Sequence, residues 1–315
     1  MNFTTLAGAG RLLVAPSSGE IAILRTVLYA DVFNYPLTAP EIHRYLIGES
    51  LALEEAQFIL GSSPWLAQII SHVGDFYVVA GREDLIVLRQ AHALSAEKLW
   101  QVARQYGRLL AALPFVRMVA VTGALAMDNA KPDDDVDYLI VTVPGRVWLV
   151  RALAILIVRL ARLGGVNLCP NYLLSETSLL QEQRDLFIAH ELAQMIPLTG
   201  HDLYWQMRSI NGWAAGFLPN ADSMPRPERD AAPRGPARLG QRWLESLLAG
   251  RVGNLLENWE RRRKLQKFRP QLRRPATEAV LDETRIKGHF NDYGRLTRQA
   301  YEQRCAAYKI DGWAQ

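Results

Sequence analysis

The chain has 315 residues, 49% hydrophobic and 22% charged. That is enough apolar material for a sizeable core, and it excludes a fibrous or wholly disordered chain. A net charge of +4 is too mild to mark a polyanion-binding protein by itself, and two distant cysteines, Cys169 and Cys305, exclude a disulfide framework or a Cys-rich metal centre and fit a reducing cytoplasm.

The N-terminus, MNFTTLAGAGRLLVAP, lacks a charged start followed by a long apolar run, so no signal peptide is expected. Residues 21–33 carry helical apolar spacing (Ile21, Leu24, Leu28, Val32) and end before Pro36. Thr38, Pro40 and Glu41 make a capped start for a second helix through Leu46. A third helix is expected over 51–60. Residues 69–73 and 76–79 then flank a Gly74, Asp75 turn as a hairpin. Three helices followed by a hairpin is the order of a winged helix-turn-helix, expected over 1–94. The third helix, LALEEAQFIL, carries Glu54 and Glu55 and offers a groove only Gln57, so a packing or protein-contact role stands level with nucleic-acid readout.

Residues 95–112 predict a helix capped by Ser95 and ended by Pro114. Then comes VTGALAMDNAKPDDDVDYLIVT, residues 121–142. An apolar strand runs into Gly123, and a polar turn carries Asp128, Asp133, Asp134 and Asp135. A second strand begins near Val136. Asp135 and Asp137 stand two apart at its start and so share one face. Two such carboxylates repel unless a cation lies between them, and a hard ion, Mg²⁺ or Mn²⁺, is the expected one. Lys131 offers a phosphate contact or simply offsets the neighbouring acids.

Residues 147–163 are strongly apolar but contain Arg151, Arg159 and Arg162, which predicts a buried helix rather than a membrane span. A strand, VNLCPNYLLS, follows, and then a helix over 178–195 holding His190 and Glu191. His190 reads as a satisfied helix histidine, having no partner at zincin spacing. The alternation of strands and helices predicts a mixed α/β (α+β) sheet flanked by helices over 95–218. Residues 219–238 hold five prolines and read as a linker or mobile loop. Residues 239–315 read as a basic helical region: a basic helix, a break at Pro270 to Pro275, and a final helix over 293–308. Within 239–274 ten Lys and Arg face three acids, so +7 is concentrated there and the remainder of the chain carries −3. That stretch suits a nucleic-acid backbone or the solvated face of a helix whose apolar stripe is Leu255, Trp259, Leu265 and Phe268. His289, in KGHFNDYG, is a candidate pocket residue or a loop residue.

The stretch from Val121 to Val141 resembles the signature of the DNA polymerase β-like nucleotidyltransferase superfamily: an apolar strand, Gly-Ser, a loop of about ten residues, then Asp-apolar-Asp on the next strand. The likeness covers residues 115–175. Gly123 and Ala124 stand for Gly-Ser, and Asp135, Val136 and Asp137 for the carboxylate pair. It implies Mg²⁺-dependent transfer of a nucleoside monophosphate from an NTP to an acceptor such as RNA, a protein or a small molecule. Asp135 and Asp137 would hold the metal, while Gly123, Ala124 and Lys131 would meet the phosphates. Members carry a third carboxylate on a later strand. Here that strand offers Asn167 and Asn171, with Glu176 just beyond. Glu176 is the first candidate and Glu191 the second. If neither serves, the chain is a binding protein with a degenerate site, and a winged-helix regulator is the remaining alternative.

Overall fold

The computed structural model describes residues 15–272, 280–287 and 293–313. The N-terminal part runs α1 (Ser18–Val32), β1 (Leu37–Thr38), α2 (Ala39–Arg44), α3 (Leu53–Ser62), β2 (Ile70–Val73) and β3 (Phe76–Val79). Ser17 and Glu20 close a capping box on α1, and Thr38 and Glu41 close one on α2, with Pro40 in its first turn. The three strands form an antiparallel sheet in the order β1-β3-β2, with Val73 paired to Phe76 across the Gly74 and Asp75 turn.

A long helix, α4 (Leu85–Ala111), leads into the second sheet. It starts ten residues before the expected Ser95 cap. Ser95 lies inside it and bonds back to the Ala91 carbonyl (3.0 Å), the way a serine is accommodated in a helix interior. The sheet is built from β4 (Val116–Thr122), β5 (Val136–Thr142), β6 (Leu168–Ser175) and β7 (Ile196–Thr199). A C-terminal hairpin, β8 (Val280–Leu281) and β9 (Arg285–Lys287), joins its edge, giving the order β7-β4-β5-β6-β9-β8. Among the described residues only the β5–β6 pair is parallel, bridged by α6 (Val147–Leu163). That hairpin lies between the two expected C-terminal helices, where no element is expected: its strands are two and three residues long, too short to leave a periodic signal.

Alternating residues divide the sheet's two faces. Val119, Val121, Val136, Tyr138 and Ile140 pack with α4 and α6, while Met118, Ala120, Leu139 and Val141 face α7 (Leu186–Gln194) and the N-terminal helices. The N-terminal part therefore shares a core with the sheet instead of forming one of its own. α7 is shorter than expected because Asp185 caps it, its carboxylate accepting from Ile188 N (2.9 Å). Next come α8 (His201–Ile210), α9 (Gly235–Leu248), α10 (Arg251–Leu272) and α11 (Tyr293–Ala307). The proline-rich stretch forms a loop as far as Arg234, with α9 taking over its last four residues, and the loop is tied down. Glu228 takes two hydrogen bonds from Arg104 (2.9 and 2.8 Å), and Arg226 pairs with Asp128 (3.1 Å) and covers the Trp100 ring. Among the described residues no helix is long and apolar enough to cross a membrane.

Two interactions carry measurable stability. α6 has no side-chain cap of its own. Its first N–H groups, of Trp148 and Leu149, instead donate to the buried Glu257 of α10 (2.9 and 2.7 Å). Glu257→Ala leaves two buried donors unmet and removes an anion from a helix N-terminus, so a loss of about 2–4 kcal/mol is expected in chemical denaturation, with Glu257→Gln losing less. His190 is buried and stacked on Tyr29 (centroids 3.9 Å apart), with Nδ1–H donating to the Leu186 carbonyl (2.9 Å). Burial pushes its pKa down to about 4. The unfolded chain takes up this proton below about pH 6.5 and the native protein does not, so stability falls as pH drops from about 6.5 towards 4. The ceiling is about 3 kcal/mol, at about 1.4 kcal/mol per pKa unit. Denaturation midpoints of His190→Phe should lose much of that acid-side slope; an unchanged slope refutes the assignment.

Candidate active site

β4 ends where the chain needs a glycine. Thr122 pairs with Asp137 across the sheet, and Gly123 then turns with φ +68°, a left-handed conformation, into the short helical turn α5 (Gly123–Ala126). A Cβ at Gly123 would lie 2.5 Å from Asp137 Oδ2. Glycine therefore brings the backbone against the carboxylate, and the leading N–H groups of α5 have no intrahelical acceptor by construction. The following loop is fixed by α4: Trp100 Nε1 donates to Asp128 Oδ1 (2.7 Å), and His92 Nδ1 meets Asn129 Oδ1 (2.8 Å). Asp128 is thus a structural loop acid, held at φ +52°.

Asp135 is exposed just before β5 and Asp137 is half-buried within it. The strand pairing places Cys169 opposite Asp137. One ligand atom from each of Asp135, Asp137 and Cys169 lies within 4.8 Å of the other two. β6 then carries one extra residue against β5: Asp137 pairs with Cys169 but Leu139 pairs with Tyr172. This bulge, at Pro170 and Asn171, lets Asn171 Nδ2 donate to Asp137 Oδ1 (3.1 Å). Burial pushes Asp137 up to about 7. Asp135 adds to the shift and Glu191 adds less, while the Cys169 and Asn171 hydrogen bonds oppose it. Burial likewise pushes the Cys169 thiol up to about 12, with Asp137 and Asp135 contributing, so the thiol stays protonated.

Glu176 does not join this group. β6 runs parallel to β5, and Thr142 pairs with Ser175, so the next residue lies at the far end of the strand pair, where its N–H donates to the Thr142 carbonyl (2.9 Å). Five residues of strand separate that point from Asp137, about 16 Å at about 3.3 Å per residue. The expectation that Glu176 completes the site is corrected on this ground. Glu191, on α7, does face the site. Lys131 is exposed in the loop, its N–H donating to Asp134 Oδ2 (2.8 Å). Gly123, Ala124, Asp137, Asn171 and Glu191 all line one cavity of about 340 Å³. Its inner walls are chiefly aromatic and apolar, among them Tyr29, Tyr45, Phe187 and Met207, and Lys287 of β9 and Thr297 of α11 close another side.

Lys287 and Cys169 are the residues that sequence reasoning missed. Nothing local marks Lys287, which reaches the site through strand pairing across more than 100 residues. Pro170 inside a strand was the available signal for the bulge beside Cys169. His289 lies outside the described residues. Comparison with protein-family models, with curated proteins and with solved structures gives no match for this chain.

Proposed function

We propose that this chain is a divalent-metal-dependent nucleotidyltransferase of the DNA polymerase β-like kind. The observation that carries the reading is the clustering of Asp135 with Asp137, where Asp137 and the glycine turn packed against it line one cavity. The order β4, turn, β5, α6, β6, with the first pair antiparallel and the second parallel, supports it.

The donor set fits a hard cation. Two carboxylates are held together where burial already disfavours the charge on one of them, and a bound cation relieves both penalties. Asp135 and Asp137 would hold Mg²⁺ or Mn²⁺. When bound, the metal supplies Lewis-acid neutralisation of polyphosphate oxygens. The chain's own groups do the rest. Asn171 and the Cys169 S–H orient Asp137. The N–H groups of Gly123 and Ala124 bind phosphate oxygens, and Lys287 adds positive charge. The aromatic walls receive the nucleobase or an apolar acceptor. Glu191, at the cavity edge, is the carboxylate placed to accept the proton of an acceptor hydroxyl.

A second reading rests on one observation: the β6 positions facing Asp137 are neutral, Cys169 and Asn171. It makes the chain a nucleotide-binding protein without turnover. Incubation with α-labelled NTPs, Mg²⁺ or Mn²⁺ and fractionated cell extract separates the two. Label transfer that is lost in Asp135→Ala supports the enzyme. Calorimetric NTP–Mn²⁺ binding without transfer supports the binding protein, and absence of both removes the nucleotide reading. The order α1, β1, α2, α3, β2, β3 supports a winged-helix reading of the N-terminal part. The exposed α3 face carries Glu54 and Glu55, so we assign that part a packing or protein-contact role.

A further inference from the structure

α9 and α10 are built inside out. On α9 the inward residues are polar: Gln241 donates to the Ala111 and Leu113 carbonyls (3.0 and 2.9 Å), and Glu245 accepts from Arg117 (2.7 Å) and from Phe115 N (2.8 Å). On α10 the inward residues include Glu257, which caps α6, and Glu260 and Lys264, which pair with each other (3.7 Å), beside Leu265. All three acids of 239–274 are therefore turned towards the protein. The outward faces carry Leu239, Trp243 and Leu247 on α9 and Val252, Leu255 and Trp259 on α10; Trp243 is 63% exposed, Leu255 70% and Trp259 60%. Around them stand the exposed cations Arg242, Arg251, Arg262, Lys267 and Arg269.

The apolar spacing is helical, Leu239, Trp243, Leu247 at i, i+4, i+8 and Leu255, Trp259 at i, i+4, so each set forms one stripe. The stripe foreseen in the sequence splits. Leu265 stands ten residues from Leu255, a rotation of about 280° at about 100° per residue, and is half-buried in the core on another face. A soluble chain rarely leaves this many large apolar groups together in water.

We infer that the outer face of α9 and α10 docks on an anionic lipid bilayer surface, lying in the interface without spanning it. Charge complementarity decides the occupant: the exposed ionised groups on this face are basic, its acids being engaged inward, and anionic headgroups supply the opposite sign. Leucine and tryptophan between cations is the composition that inserts at the headgroup–acyl boundary. A nucleic-acid duplex offers its phosphates to the cations but leaves Trp243, Leu255 and Trp259 exposed, its bases being stacked within it. The inference is independent of the nucleotide chemistry. It needs no membrane-spanning helix, and none is present among the described residues.

The test is co-sedimentation of the full chain with 100 nm vesicles, of phosphatidylcholine alone or with about 30% phosphatidylglycerol. Expected is at least tenfold tighter binding to the anionic vesicles, weakened by salt. Trp243→Glu with Leu247→Glu should lower it at least tenfold, with an unchanged circular dichroism spectrum and melting temperature, since both side chains are exposed. Arg242→Gln with Arg262→Gln should reduce the preference for phosphatidylglycerol. Background-level sedimentation with both vesicles overturns the proposal. So does binding that the apolar double variant leaves intact, retention on duplex RNA or DNA without vesicle binding, or a dimer that dissociates in the apolar variant while vesicles are ignored.

Discussion

Asp137→Asn should abolish metal-dependent turnover while making the metal-free protein more stable near neutral pH. Both halves follow from one cause. The carboxylate is half-buried beside Asp135, and its pKa is pushed up to about 7. Between about pH 4 and 7 the native state holds a proton that the unfolded chain has released, so stability of the metal-free protein falls as pH rises through that window and levels off above it. Three pKa units set a ceiling of about 4 kcal/mol, and solvent access to the mouth of the cavity brings the expected gain for the asparagine variant to about 1–3 kcal/mol at pH 7.5. Asparagine keeps the shape and still accepts from Asn171 Nδ2, so the local frame survives. Turnover should drop by at least about 10³-fold, of the order seen when a charge-stabilising group is removed from a reacting centre. Mn²⁺ should raise the melting temperature of the parent protein and not of the variant. A variant that is less stable and still active would mean that Asp137 is an ordinary structural acid.

Gly123→Ala should cost both stability and activity, for two separable reasons. An L-residue at φ +68° pays about 1–2 kcal/mol in backbone strain. The new methyl must also displace Asp137 Oδ2, which it would meet at 2.5 Å. A total loss of about 2–3 kcal/mol is expected, with turnover down about 10²-fold as the carboxylate is pushed out of line. A double-mutant cycle separates the causes. Adding Asp137→Ala removes the steric partner, so the stability cost of Gly123→Ala should shrink to the backbone part. Full additivity would show that the glycine serves the turn alone. Both sets of measurements need only denaturation curves and the label-transfer assay.

Much of the local architecture is legible in the residues. The capping boxes at Ser17 with Glu20 and Thr38 with Glu41 announce α1 and α2, because the cap and its reciprocal acid sit three apart in sequence. The hairpin turn at Gly74 and Asp75 is equally local. Ser95 misleads because a serine inside a helix has the same sequence appearance as one at its start; what separates them is whether residues 85–94 pack, and they do so, Leu85 and Ile86 against Val78 of β3 and Arg89 and His92 against the loop at Asp128 and Asn129. The proline-rich 219–238 segment misleads in the other direction. Its composition promises freedom, but Arg104, Asp128 and Trp100, distant in the chain, supply its partners.

The candidate site divides the same way. Spacing by itself put Asp135 and Asp137 on one face of a strand and a glycine at the preceding corner, because a strand repeats every two residues and a left-handed corner selects glycine. The third member was a matter of register. Whether Glu176 or Cys169 stands opposite Asp137 depends on how β6 slides against β5, and only the parallel pairing, with its bulge at Pro170 and Asn171, chose Cys169 and sent Glu176 to the far edge. Tertiary packing likewise carried Glu191 and Lys287 to the cavity from α7 and β9. Composition revealed the basic, Leu- and Trp-bearing C-terminal stretch. Only the fold showed that its acids turn inward to cap and pair while Leu239, Trp243, Leu247, Leu255 and Trp259 face out, since which side of a doubly amphipathic helix is buried is decided by the partners it finds.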